Sequence, residues 1–147
     1  MNVSLNVSLS KDVNLLKREE IREFSNRMEA YFKNKTYGES IETYAIGMNC
    51  VSPEFASFFK AEKPSYTEDK NVIVYGIKAH LYKSFGFCLV LNYNDFKKSS
   101  TGDGLKIMAS EIMKALSEIK YPKKIKDFDQ EIFYQDMEQF FKEQNLI

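Results

Sequence analysis

The sequence has no tryptophan, a single histidine, two cysteines and three prolines among 147 residues. Two cysteines are too few for a disulfide scaffold, and with His80 they are the chain's only soft metal ligands, too few for a cysteine-based zinc site. We expect Cys50 and Cys88 to be reduced and buried, because both lie in apolar, strand-like runs. His80 and Cys88 would form a catalytic pair only if the fold made them neighbours, and no nucleophile-bearing turn surrounds either. The sequence thus predicts no catalytic residue, no metal and no cofactor.

Long apolar runs and an excess of charge of one sign are also missing. No run approaches the roughly 20 apolar residues that a membrane span needs, and the first residues lack the basic start and apolar core of a signal peptide. We therefore expect a cytoplasmic protein without a membrane segment. Lysine plus arginine and aspartate plus glutamate both number 21, so the chain has no net positive charge with which to attract nucleic acid directly.

What is present describes an ordinary globular chain. Apolar residues make up 44% of the sequence and aromatic residues 14%, enough to build a core and too much for a disordered chain. The length is that of one domain, and no segment has the composition of an interdomain linker. We therefore predict a single α+β domain over residues 1–147.

Three segments show the period-two alternation of β-strands. Residues 71–93 are the most apolar and predict a hairpin, broken near residues 82–84, at the centre of a sheet. Residues 2–9 alternate valine or leucine with asparagine or serine, which predicts a half-buried edge strand. Residues 41–51 place large side chains on both faces of the predicted strand, which suits a strand inside the sheet. We expect a mainly antiparallel sheet of about four strands.

Four segments have the features of helices. A first helix, capped by Ser10 or Asp12, is predicted to run to about Lys33, and Ser52-Pro53-Glu54 predicts the start of a short second one. Apolar residues recur at helical spacing from about residue 104 to 119. Asp127 or Asp129 starts the last helix, whose apolar face holds Phe133, Met137, Phe140 and Phe141, with Ile132 beside them. The predicted order is β-α-β-α-β-β-α-α.

Charge is divided unevenly near the C-terminus. Residues 97–126 hold eight lysines against three acids, and residues 127–143 hold six acids against one lysine. An acidic face that also carries a tyrosine suits a basic protein partner. The candidate partner-binding residues are Asp127, Asp129, Glu131, Tyr134, Asp136 and Glu138. The alternative interpretation is that these acids only cap the helix and neutralise the lysines at 120–126.

Tyrosines elsewhere in the chain are further interface candidates, because they fall in predicted loops or on mixed faces and tyrosine is favoured at protein interfaces. Besides Tyr134, they are Tyr37, Tyr44, Tyr66 and Tyr121.

Two stretches resemble parts of the small bacterial immunity proteins that neutralise polymorphic or contact-dependent growth inhibition toxins. The stretch KDFDQEIFYQDMEQFFKEQN, starting at Lys126, resembles their closing helix, and YAIGMNCVSPEFASFF, starting at Tyr44, resembles a strand that leads into Ser-Pro-Glu. The resemblance implies a cytoplasmic protein without catalytic residues that binds and blocks a cognate toxin, and it implies nothing about the toxin's activity. A nuclease is one candidate, because toxins that act on nucleic acid carry basic clefts that an acidic face suits. The resemblance assigns no individual binding residue.

Two other functions are compatible with the residues alone. One is a small enzyme or ligand-binding domain with a pocket between the sheet and the helices. The other is a subunit whose exposed edge strand builds a homodimer. Neither leaves a motif in the sequence that would select it.

Overall fold

The computed structural model describes residues 1–9, 18–51, 74–76, 83–92, 101–121, 123 and 125–147. The described elements, in chain order, are β1 (Asn2–Leu9), α1 (Arg18–Phe32), β2 (Thr43–Val51), β3 (Val74–Gly76), β4 (Ser84–Asn92), α2 (Thr101–Glu118) and α3 (Gln130–Glu143). The predicted short helix after Ser52 and the predicted cap at Ser10 or Asp12 lie outside the described residues.

The sheet has the strand order β1-β2-β4-β3, and its three long strands β1, β2 and β4 are parallel. The three-residue β3 alone runs antiparallel, beside β4. The prediction of a mainly antiparallel sheet is therefore wrong. Helix α1 lies between β1 and β2 in the chain, and a long connection of this kind returns the chain to the same end of the sheet, which makes the paired strands parallel.

The strand positions were predicted better than the strand directions. β1 lies at one edge of the sheet and β2 lies inside it, as expected. β3 and β4 pair antiparallel, with Tyr75 opposite Cys88, as neighbouring strands of a hairpin would. The predicted central position holds for β4, which lies beside β2 inside the sheet, but it is wrong for β3, which forms the other edge.

The two faces of the sheet differ sharply in side-chain size. On one face the register aligns large apolar side chains that are mostly buried: Val3, Tyr44 and Phe85 at one level, Leu5, Ile46 and Phe87 at the next, then Val7, Met48 and Leu89. The opposite face carries small or polar residues: Asn2, Ser4, Asn6, Thr43, Ala45, Gly47, Ser84, Gly86 and Cys88. The strands thus present their large residues to a single core.

The helices supply the other half of this core. α1 buries Phe24, Met28 and Phe32, spaced as one helical face. α3 buries Phe133, Met137, Phe140 and Phe141, the four residues that the sequence predicted. The ring of Phe24 lies 5.6 Å from that of Phe140, and α2 contacts α3, so the three helices form one layer. None of the helices that the structure describes is long and apolar enough to cross a membrane.

Cys88 carries a reduced thiol that is half-buried rather than buried. In the register Cys88 is level with Gly47, whereas Cys50 is level with Leu91, further along the same pair of strands. On the antiparallel side Tyr75 lies opposite Cys88. His80, the other member of the catalytic pair considered from the sequence, lies outside the described residues.

Candidate partner-binding surface

The first turn of α3 is anchored to the loop that follows α1. Asp129 caps the helix, since its Oδ1 accepts a hydrogen bond from the backbone N–H of Ile132 at 3.2 Å. The backbone N–H of Asp129 also donates to the carbonyl of Tyr37 at 2.8 Å. The helix start therefore has a fixed position relative to the loop.

Asp127 holds the same loop from a second point. Its Oδ2 accepts from the backbone N–H of Glu39 at 3.0 Å, its own N–H donates to the Ser40 hydroxyl at 2.9 Å, and its carbonyl accepts from the Ser40 N–H at 3.0 Å. Gly38 has φ +110°, and a Cβ there would lie 2.5 Å from the Asp127 carbonyl oxygen. Only glycine suits that backbone conformation and that close approach.

Asp136 is the third anchored acid. Its Oδ2 accepts a hydrogen bond from the Tyr37 hydroxyl at 2.6 Å and lies 3.9 Å from Nζ of Lys35. Burial, followed by the hydrogen bond to Asp136, raises the pKa of Tyr37 above its ordinary value. The Asp136 side chain remains 28% exposed, so it faces both the loop and the solvent.

The other three predicted residues lie elsewhere on α3. Glu131 is exposed, and Glu138 is half-buried and forms an ion pair with Lys142 at 3.2 Å, one turn later. Tyr134 is half-buried and packs against the core. The six candidates thus lie on one helix and its N-terminal approach. Three are used in internal hydrogen bonds, Glu131 and Glu138 reach the solvent, and Tyr134 packs partly against the core.

Ile132 is a surface feature that the sequence interpretation missed. It was placed beside the buried phenylalanines, yet its side chain is 48% exposed, an unusual exposure for a large apolar residue in this chain. A signal was available, because the positions three and four residues on, Gln135 and Asp136, are polar rather than apolar. Ile132 therefore adds an exposed apolar side chain to α3, one turn after Asp129 and one turn before Asp136.

Most of the tyrosines proposed for an interface belong to the core instead. Tyr37 and Tyr44 are buried, and the Tyr44 hydroxyl shares a 2.8 Å hydrogen bond with that of Tyr121, which is itself half-buried. The Tyr44 ring lies 4.6 Å from that of Phe133, which joins the sheet to α3. Their positions in predicted loops or on mixed faces suggested exposure, but their hydroxyls have hydrogen-bond partners within the fold, which allows the rings to be buried. Tyr66 lies outside the described residues.

Comparison with known proteins assigns the chain to a family. The sequence model of a family described as "Imm44: Immunity protein 44" matches residues 1–143, a range that includes every helix and strand described above. No curated protein and no solved structure is significantly similar to the chain. Within the described residues, no group of three histidine, cysteine, aspartate or glutamate side chains is arranged to hold a metal ion.

Proposed function

The chain belongs to the immunity protein 44 family, and from that premise we propose that it binds a cognate bacterial toxin and neutralises it by direct contact. The family match over residues 1–143 is the observation that carries this proposal. In this function the protein acts in the cytoplasm of the cell that makes the toxin, without chemistry of its own. Contact-dependent growth inhibition is the proposed setting.

We place the toxin contact on the acidic face of α3, defined as Asp127, Asp129, Glu131, Tyr134, Asp136 and Glu138 around Ile132. At binding hot spots the surrounding contacts exclude water from a central side chain, and the exposed Ile132, one turn from both Asp129 and Asp136, is available for such a role. The partner that fits is a basic protein surface. A nuclease carries such a surface because it has to bind phosphates, which supports a nuclease toxin.

The internal hydrogen bonds of the three aspartates support this assignment rather than oppose it. Asp127 and Asp129 are exposed although each uses one carboxylate oxygen inside the fold. A carboxylate that is already held in place loses little conformational freedom when a partner binds. The aspartates therefore present fixed charge, while Glu131 and Ile132 are available for new contacts.

The alternative of a pocket between sheet and helices finds less support. Where the described residues form that interior, aromatic rings lie at contact distance, such as Phe85 and Tyr121, whose centroids are 4.8 Å apart, and Tyr121 and Phe128, at 5.0 Å. Tight packing of this kind serves stability and leaves little room for a substrate.

Charge reversal on the exposed side of α3 tests the proposed contact. We expect Glu131→Lys with Glu138→Lys to slow association with the toxin domain by about tenfold at low salt, and less at high salt, because opposed charge mainly accelerates encounter. Ile132→Ala should weaken binding through faster dissociation. The measurements are surface-immobilised binding kinetics and survival of cells that express the toxin.

The matched control makes the same charge change on α1, where Glu19→Lys with Glu23→Lys alters two exposed residues outside the acidic face. We expect association to be unchanged in this variant. Equal slowing by both pairs would mean that only net charge matters. Undiminished binding by the α3 variants would place the toxin contact on another surface.

A further inference from the structure

The outer edge of β1 carries backbone groups that no neighbouring strand uses. The N–H of Asn2 donates to the Glu42 carbonyl at 2.9 Å, so the even residues of β1 direct their backbone groups towards β2. Successive residues of a strand direct their backbone N–H and C=O groups to opposite edges of the strand. The groups of Val3, Leu5 and Val7 therefore point away from β2. Within the described residues, β1 has a paired strand on one side only.

The sequence of the edge lacks the usual protections against pairing, although the Ser25 side chain of α1 contacts one of its outward carbonyls. Residues 2–9 contain no charged residue and no proline, and β1 pairs with β2 without a bulge. Natural proteins normally guard a long edge strand with such features, because an unguarded edge is a template for another strand. An eight-residue edge without them is suited to a partner strand.

The helix beside this edge has self-complementary charge. The Ser25 hydroxyl donates to the outward carbonyl of Leu5 at 2.6 Å, which fixes α1 along the edge. Arg22 precedes Ser25 by three residues and Glu29 follows it by four, so all three lie within about 60° on one flank of α1. Arg22 and Glu29 are exposed. The opposite flank faces α3, where Nε of Arg27 donates to Gln144 at 2.9 Å.

We infer that a second copy of this chain pairs with β1, antiparallel and about a twofold axis at Leu5. In this register Val3 faces Val7 of the copy and Leu5 faces its own equivalent, and each facing pair exchanges both of its backbone hydrogen bonds. The Leu5 carbonyl can accept from the copy as well as from Ser25, because it has two lone pairs. The two sheets become one continuous sheet.

The same axis brings the two α1 helices together antiparallel near Ser25. Arg22 and Glu29 lie about 4.5 and 6 Å along the helix on either side of Ser25, at 1.5 Å per residue. Arg22 therefore faces Glu29 of the copy, and Glu29 faces Arg22 of the copy. This agreement between the edge and the helix favours a second copy over an unrelated strand. The inference does not depend on the proposed toxin.

Sedimentation of the purified chain alone, in reducing buffer and from the micromolar to the millimolar range, tests the dimer. We expect a concentration-dependent dimer whose dissociation constant rises about tenfold at low salt with Arg22→Glu and likewise with Glu29→Arg, because each places like charges opposite one another. Combining Arg22→Glu with Glu29→Arg should restore most of the affinity. Glu23→Arg, on the outer side of α1, is the matched control and should leave the dimer unchanged.

Val7→Pro adds an independent probe of the edge. Proline removes an N–H that points away from β2, so the chain can keep its own sheet while the dimer loses hydrogen bonds. A chain that stays monomeric throughout the concentration range would overturn the inference. So would a dimer that neither charge variant weakens, because the copies would then meet elsewhere. A monomer whose toxin binding is lost in Val7→Pro would reassign the edge to the toxin.

Discussion

The hydroxyl of Tyr37 and the carboxylate of Asp136, 99 residues apart in the chain, are joined by a hydrogen bond of 2.6 Å. Tyr37 lies in the connection between α1 and β2, and Asp136 lies in the second turn of α3. This contact fixes the acidic face of α3 relative to the rest of the helical layer. The orientation of the proposed toxin-binding surface therefore depends on a bond that is also structural.

Removal of this hydrogen bond should weaken the fold measurably. Tyr37→Phe keeps the ring packed against Phe133 but leaves the partly buried carboxylate of Asp136 without its donor. We expect the free energy of unfolding to fall by about 1.5–3 kcal/mol, the range for hydrogen bonds to charged groups. Urea denaturation measures it, with Tyr134→Phe as a control that should change little. An unchanged midpoint for Tyr37→Phe would show that the bond contributes nothing net.

Docking of α3 depends on its buried phenylalanines. The ring of Phe140 lies 5.2 Å from that of Tyr31 and 5.6 Å from that of Phe24, and it is almost completely buried. Phe140→Ala should cost about 3–5 kcal/mol through lost burial and the cavity left behind. Ile132→Ala in the same helix should cost clearly less, because that side chain is about half exposed. Thermal unfolding that shifts equally in both variants would contradict the docking of this face.

Gly86 is required where β4 meets β2. A Cβ at Gly86 would lie 2.1 Å from the carbonyl oxygen of Ala45, a backbone atom that cannot move without disturbing the ladder. We expect Gly86→Ala to destabilise the protein by about 3 kcal/mol. At Gly47 the nearest atom is the Cys88 sulfur, 3.2 Å away, and a side chain can adjust. Gly47→Ala should therefore cost clearly less, and the reverse order in chemical denaturation would refute this account.

Alkaline pH should destabilise the protein through the paired tyrosines. Burial raises the pKa of Tyr44 well above its ordinary value of 10.0, and burial raises the pKa of Tyr121 to about 12, with the hydrogen bond from Tyr44 acting in the opposite direction. As pH rises, the unfolded chain loses these protons first. The stabilisation is therefore complete below about pH 10 and is lost above it, by up to about 1.4 kcal/mol per pH unit for each tyrosine.

Denaturant unfolding between about pH 9 and pH 11 measures this loss. A variant with phenylalanine at both positions, Tyr44→Phe with Tyr121→Phe, should have a flatter dependence of stability on pH in this range, whatever its stability at neutral pH. An equally steep dependence in the variant would assign the alkaline loss to other groups.

The periodicity of the sequence was enough to identify two of the strands and the buried face of the last helix. Alternation in residues 2–9 and 41–51 identified an edge strand and an inner strand, and the spacing of Phe133, Met137, Phe140 and Phe141 identified the buried face of α3. These properties follow from local periodicity, because each residue's side depends only on the geometry of its own element. Membership in an immunity family was likewise expected from two stretches of sequence.

Only the tertiary structure decided how these elements combine. Period-two alternation is the same in parallel and antiparallel strands, so the direction of β1, β2 and β4, and the place of β4 between β2 and β3, could not be read from it. The roles of the acids depended on distant partners too, since Asp127 meets Ser40 across 87 residues. The sequence shows where the carboxylates are, but their hydrogen-bond partners lie on elements far apart in the chain, and only the packing of those elements brings them together.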